Sequence, residues 1–533
     1  MLYSWCLEIG WHPLPFRKIN IVAVPKTENR DKSNPRSYRP LAMLSVLGKG
    51  LERLIARRLA WVATQEKILH PQHFGALPGR SATDLAAVAV HDIEETLLRG
   101  KVASMLTLDI KGAFNAVLPG RLIQRLQQQG WPANLVRWVS CFATQRTATL
   151  RLDNESGPTF NVPSGLPQGS PVSPILFMLF IQPLFLLGSR DRKRARLGYA
   201  DDVALLAASS SLEENNEVLA KDFQEATEWA LQQGLAFDIG KTELIHFSRH
   251  RASGNPVAHL RLQDNEITVK PVEAGSGLRW LGTWFDRKLS FKPHVATLAM
   301  KAKHTAMGIK ALGNTVRGAP PRLLCRAIQS CIQTVLCYGV EAWWPGIYRT
   351  QKGRKISNRV DSLVRKLDTV QNEALRSALP VYRTFPIAAL QREAGVLPLG
   401  IALNHRVTLV AARLKRLDNR HPLVRRVMKK RVYNTETRLL RLAMKAGSTE
   451  PHNPLSRPPW EPRPDRDDAR IGYVRGLTAE EAAASFRKWT TTINQRDIIV
   501  YSDSSLVTGT SRAAGAGWVV CQGPGHTIVA RGR

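Results

Sequence analysis

Residues 196–208 read RLGYADDVALLAA. Two apolar runs flank Tyr199, Ala200, Asp201 and Asp202, the pattern of two strands joined by a tight turn with both carboxylates at its exposed tip. A turn that had only to reverse the chain would favour Asn-Gly or Asp-Gly. Adjacent like charges are costly unless a cation neutralises them, so the tip reads as a metal site.

Such a site needs further ligands. Upstream, VASMLTLDIKGAFNAV (residues 102–117) is an apolar strand ending in Asp109, with Phe114 five positions later. Alone, an aspartate at a strand end serves a cap or turn as readily as a metal, and a lone phenylalanine packs in a core. Between these stretches lies SGLPQGSP (residues 164–171), followed by the apolar helix SPILFMLFI. Its glycines let backbone approach a ligand closely, and Gln168 offers both a donor and an acceptor. Ser173 and Pro174 suit the N-cap and first turn of the helix.

In this order D-x-x-x-x-F, S-G-L-P-Q-G-S-P and Y-A-D-D resemble motifs A, B and C of reverse transcriptases. The resemblance extends upstream to VAVPK (22–26), SYRPLAMLSVLGKGLE (37–52) and HFGALPGRSATD (73–84), which are similar to fingers motifs of non-LTR retrotransposon enzymes. Downstream, GLAFDIGKTELIHF (234–247) resembles motif D and LRWLGTWFD (278–286) the primer-grip motif E. It covers most of residues 1–290.

The resemblance implies an α+β, right-hand fingers, palm and thumb polymerase that copies an RNA template from a DNA primer with deoxynucleoside triphosphates. It assigns Asp109, Asp201 and Asp202 to two Mg²⁺ ions, replaceable by Mn²⁺, roughly 3.5–4 Å apart. Phe114 resembles the steric gate under the sugar. Lys26 and Arg39 resemble residues that clamp the triphosphate; read as residues alone they are also compatible with surface charge. Gln168 resembles the residue beside the incoming nucleotide, and Lys241 the motif D lysine, a proton donor to pyrophosphate.

Composition agrees with a nucleic-acid partner. Lys and Arg number 76 against 43 Asp and Glu, and the net charge of +33 exceeds what solubility requires. Between residues 349 and 450 stand 23 basic and 7 acidic residues, which predicts a face that tracks phosphates. The longest apolar run, Ile175–Phe180 extended to Leu187, is interrupted by Gln182 and Pro183, so no membrane partner is expected. The six cysteines contain no C-x-x-C pair and read as buried free thiols. GLAFDIGKT has five residues between its glycines where a phosphate loop has four, and His246 and His250 lack the H-E-x-x-H of a zinc site.

The expected organisation is fingers and palm over 1–290, beginning with a core strand at 19–24, then a helical thumb and basic connection over 291–446. A Pro-rich linker follows at 447–470, holding six prolines, and 471–533 carries a partial domain. There TAEEAAASFRKW predicts a helix capped by Thr478. IIVYSDSSLVTGTSRAAGAGWVV (498–520) resembles the first hairpin of an RNase H, with Asp503 at the first catalytic carboxylate and the later ones absent, so this α/β portion is expected to be inactive. The upstream endonuclease of such elements leaves no trace, and residues 1–16 fit neither a secretory nor a transit signal. A chromosomal DNA target and a nuclear address are expected. Two other readings stand beside this one: a retrotransposon remnant that binds nucleic acid without turnover, and an intron-encoded maturase, against which the linker and the Asp503 strand argue.

Overall fold

The computed structural model describes all residues except 1, 27–30, 32, 35–36, 153–154, 189–190, 251–253, 264, 274, 314–317, 345, 347, 350–354, 357–359, 380, 430–435, 446–457, 462–477, 493, 496–497, 508–512, 524–526 and 533. Most of the Pro-rich stretch 447–470 therefore lies outside the described residues. The chain divides into two compact units, Met1–Pro459 and Trp460–Arg533.

Nine strands build the two sheets that matter for the site: β1 (Lys18–Pro25), β2 (Tyr38–Met43), β3 (His73–Phe74), β4 (Val102–Asp109), β5 (Arg146–Leu152), β6 (Glu155–Val162), β7 (Arg194–Tyr199), β8 (Asp202–Ser209) and β9 (Glu243–Phe247). The first sheet has the order β2-β1-β5-β6, with β1 and β5 parallel and the outer pairs antiparallel. The second has the order β3-β7-β8-β4-β9 and is antiparallel except for β3 against β7. Sheets with helices on their faces make this an α+β molecule.

Period-two alternation decides what each face of the second sheet buries. Leu106 and Leu108 of β4, with Val203, Leu205 and Ala207 of β8, face a core shared with the helix Ser173–Ile181 and with Leu219 and Phe223 of the helix Leu212–Gln232. Ala103 and Met105, with Ala204 and Leu206, face a second core shared with the helix Ala82–Leu98 and with the helices that follow Lys292. Every residue of Ser173–Ile181 except Pro174 is buried, as a helix apolar on all sides must be.

Four details differ from the sequence reading. Residues 19–24 do form a strand, but not a core one: Ile19 is buried, whereas Val22 and Val24 are exposed because the second face of β1 is uncovered. Val172, not Ser173, is the N-cap of the helix Ser173–Ile181, and its own N–H donates to Ser170 Oγ (3.2 Å). Cys331 is exposed and Cys141 partly so, since each sits off the apolar stripe of its helix.

The fourth concerns the basic stretch 349–450. The helix Ala82–Leu98 begins with a capping box between Ser81 and Asp84 and presents Asp84 on its first turn and Asp92 and Glu94 on later ones. Arg413 pairs with Asp84, Arg426 with Asp92 (2.5 Å) and Arg438 with Glu94 (3.1 Å), while Thr437 Oγ1 meets His91 Nδ1 at 2.8 Å. These three arginines hold the C-terminal helices to the helix Ala82–Leu98 rather than facing phosphates.

The second unit contains the helix Ala479–Thr490, capped as expected by Thr478 through a reciprocal box with Glu481. A three-stranded antiparallel sheet follows: Ile498–Val507, Ala513–Gln522 and Thr527–Gly532. The backbone of Asp503 pairs with Gly517 in this sheet; its side chain lies outside the described residues.

Candidate active site

β7 and β8 meet in a two-residue turn, with Tyr199 paired to Asp202 across it. Ala200 takes a left-handed φ of +54°, a conformation costing a non-glycine residue roughly 1 kcal/mol or more. Two contacts support it: Ala200 N–H donates to Phe74 O (2.9 Å) and Ala200 O meets His73 Nε2 (3.3 Å).

β4 lies antiparallel to β8 with Asp109 directly opposite Asp202. Paired residues project to the same face of a sheet, so two carboxylates 93 positions apart share one edge, with Asp201 beside them. Burial first, and then the charge of Asp109, raise the Asp201 carboxyl above its usual range. Lost solvation first, then Asp201 and Asp109, push Asp202 up to about 6.

Lys241 supplies the opposing charge. Its Nζ is bound to Asp109 Oδ2 and lies 3.5 Å from Asp238, and the hydrogen bond to Asp109 leads the causes that raise its pKa. The lysine is delivered there by backbone: Asp238 N–H donates to Asp109 O and Lys111 N–H to Ala236 O, each at 2.8 Å. One ammonium among three mutually repelling carboxylates leaves an excess of negative charge, and an all-oxygen donor set of this kind fits a hard divalent cation. Among the described residues the only group with three ligand atoms mutually within 4.8 Å is His91, Asp92 and Glu95, and Arg426 already occupies Asp92 there.

The turn after β4 and the loop 164–171 are sewn together. Leu166 N–H donates to Phe114 O (2.7 Å) and Gly165 N–H to Val117 O (2.8 Å). Gly165 has φ +81°, and a Cβ there would lie 2.8 Å from Asn115 Cα, so no other residue fits. The half-buried Phe114 ring rests on Phe177 with centroids 5.1 Å apart. The loop is also tied to the first sheet, where Ala42 N–H donates to Gln168 O (2.7 Å). Through that bond the strand carrying the exposed Arg39 adjoins Gln168; Lys26 follows β1 and its N–H donates to Ser37 O (2.7 Å).

Three positioning residues escape the sequence reading. Arg146, buried at the start of β5, donates to Ser164 O (3.1 Å) and Gly165 O, and burial lowers its pKa to about 10. Glu52 accepts from Ser170 Oγ (2.5 Å) and is pushed by burial up to about 7. Its signal was present, because helical spacing sets it among Leu51, Ile55 and Leu59. Tyr338 holds the hairpin Leu278–Phe285: its Oη donates to Leu281 O (3.0 Å), while its own carbonyl meets His294 Nε2 and Trp343 Nε1, each at 3.2 Å.

His246 is buried between Ser104 Oγ (2.7 Å) and Pro256 O (2.9 Å).

Residues 24–285 match the family model described as reverse transcriptase (RNA-dependent DNA polymerase). The probable RNA-directed DNA polymerase from transposon BS of Drosophila melanogaster is 26% identical over 351 residues, 64% of this chain and 37% of that protein. The retrovirus-related Pol polyprotein from type-1 retrotransposable element R1 of Bradysia coprophila is 24% identical over 412 residues, 76% of this chain and 38% of that one. The chain thus spans less than two fifths of the length of either relative. Among solved structures, telomerase from Candida albicans aligns at 12% identity over 73% of this chain and 65% of its own, with a TM-score of 0.37, too slight a likeness to argue from. The similarity to the reverse transcriptase (RNA-dependent DNA polymerase) family thus runs over residues 24–285, just under half of the chain.

Proposed function

We propose that this chain is the polymerase portion of a non-LTR retrotransposon protein, extending a DNA primer on an RNA template by nucleotidyl transfer. The observation that carries the reading is the register of β4 on β8, which sets Asp109 opposite Asp202 with Asp201 adjacent. In the reaction the primer 3′-oxygen forms a bond to the α-phosphorus of a deoxynucleoside triphosphate, the bond to the bridging oxygen breaks, and pyrophosphate leaves.

Asp109, Asp201 and Asp202 would hold the divalent ions, Mg²⁺ by choice of donor. Bound there, such ions lower the pKa of the primer hydroxyl and neutralise charge on the leaving phosphate. The Phe114 ring, fixed by Phe177 beneath and by Leu166 through its carbonyl, forms a flat floor for a sugar without a 2′-hydroxyl. Gln168, held against β2, flanks the base, and Arg39 and Lys26 on the first sheet bind the triphosphate as point or forked cations. Pairing with Asp109 supports a proton kept at Lys241 Nζ, which in this reading is donated to pyrophosphate. The hairpin under Tyr338 positions the primer end.

We assign the Ile498–Val507 strand with Asp503 to an RNase H domain, and expect a chromosomal DNA target and a nuclear site of action. Primer extension on poly(rA)·oligo(dT) with Mg²⁺ tests the reading. The wild-type chain extends, and Asp201→Asn loses at least about two orders of magnitude with duplex binding intact. Binding without extension by the wild type selects the non-catalytic remnant instead.

A further inference from the structure

A second cationic site lies apart from the aspartates. Where the helix Val46–Gln65 ends, a cavity of about 250 Å³ is lined by Lys67, His70, Arg80, Arg420 and Arg425 together with apolar and uncharged residues, and no carboxylate. Among the described residues none of its four cations has a carboxylate within ion-pair distance, although elsewhere in this unit arginines are paired with acids. Arg80 is buried, with Nη1 donating to Pro71 O (2.9 Å). The acid that most favours its charge, Asp418, accepts the N–H of Arg420 (2.9 Å) and does not line the cavity. Arg420 is fixed by Nη1 bonds to Thr64 O (3.2 Å) and Gln65 O at the helix end, which aims a second guanidinium at the same space.

Four cations converging on a concave, acid-free site have an unmet charge. The repulsion is already felt by their neighbour, because burial and then Arg425 and Arg80 lower the pKa of His70. A fork of guanidiniums with a lysine matches tetrahedral phosphate oxygens.

We propose that this cavity binds a phosphodiester of the nucleic-acid strand, at a point separate from the polymerase centre; the choice of strand rests on the polymerase reading above. None of its lining residues belongs to the aspartate cluster, so it adds affinity and register without touching the reacting atoms.

The test is duplex binding as a function of salt. Anisotropy of a fluorescein-labelled poly(rA)·oligo(dT) duplex is followed from 50 to 200 mM KCl for the full chain and for Lys67→Glu combined with Arg425→Glu, both exposed. A control pair with the same charge change, Arg261→Glu with Lys270→Glu, lies on another exposed hairpin. Loss of one phosphate contact makes the slope of log affinity against log salt shallower by about 0.9 and lowers affinity about tenfold at 100 mM, in the first pair alone. Equal slopes in all three proteins, or an equal change in the control, overturn the proposal. So does a wild-type melting temperature raised by millimolar inorganic phosphate or pyrophosphate with no change of slope, which would make this a small-anion site. Because binding is read without turnover, a wild type that fails to extend primers would sink the polymerase reading while leaving this result decisive for the cavity.

Discussion

Phe114 illustrates how one side chain acquires a role from its supports. The ring is half-buried, floored by Phe177, and its carbonyl is held by Leu166 of the loop that also carries Gln168. A smaller side chain there would leave room for a 2′-hydroxyl. We expect Phe114→Val to reduce the preference for deoxynucleotides over ribonucleotides by at least about tenfold, the scale of losing one well-packed contact, in single-nucleotide insertion assays. Unchanged discrimination would remove the ring from this role. The apolar pattern alone puts Asp109, Asp201 and Asp202 at strand ends, which the register of β4 on β8 brings together, whereas Phe114, in the turn after β4, was singled out only through the motif it belongs to. Arg146 and Tyr338 were not: their partners, Ser164 and Leu281, lie 18 and 57 positions away, and nothing in the local sequence distinguishes a buried arginine from a surface one.

At the scale of elements, the turn after β4 and the loop 164–171 behave as one piece, fastened by two backbone bonds and by the close approach at Gly165. Gly165→Ala would place a Cβ 2.8 Å from Asn115 Cα at φ +81°. Strain of about 1–3 kcal/mol must then be relieved by parting the loop from the turn. Nucleotide insertion should fall about ten- to a hundredfold while duplex affinity changes little; insertion at the wild-type rate would mean the two segments are not coupled. Apolar periodicity made the strands and the helix Ser173–Ile181 readable, but the N-cap was misplaced by one residue, because Val172 takes that position without any side-chain capping bond that the local sequence could advertise. Three arginines of the basic stretch 349–450 have a task that the charge count does not reveal. Charge counts do not show that Asp84, Asp92 and Glu94 wait on a distant helix to receive Arg413, Arg426 and Arg438.

Across the whole first unit, buried histidines couple folding to pH. Burial lowers His12, His294 and His421 from 6.5 to about 4 and His73 to about 3, aided in His12 by Arg17 and in His421 by Arg80. The unfolded chain takes up these protons below pH 6.5 while the folded one refuses them, so their contribution to stability is full above that pH and is lost as pH falls toward 4. Glu52 works in the opposite sense: its carboxyl, raised from 4.5 to about 7, favours the folded state at low pH and loses that advantage as pH rises through 7. Asp202, pushed up to about 6, and the raised Asp201 act in the same sense as Glu52, but the four histidines outweigh these three carboxyls, and the urea midpoint should drop between pH 7 and pH 5. A midpoint that rose on acidification would show that these histidines are not held neutral.

The claim on which the whole account rests is that Asp109, Asp201 and Asp202 serve one divalent-ion site for nucleotidyl transfer. Single-turnover insertion of dTMP on a saturating poly(rA)·oligo(dT) duplex, titrated with Mg²⁺, measures it most directly in the wild type and in Asp109→Asn. The account predicts a wild-type rate that rises and saturates with Mg²⁺, and a variant at least about a hundredfold slower at every concentration with duplex affinity preserved. Equal rates in the two proteins, or a wild-type rate indifferent to Mg²⁺, would contradict it.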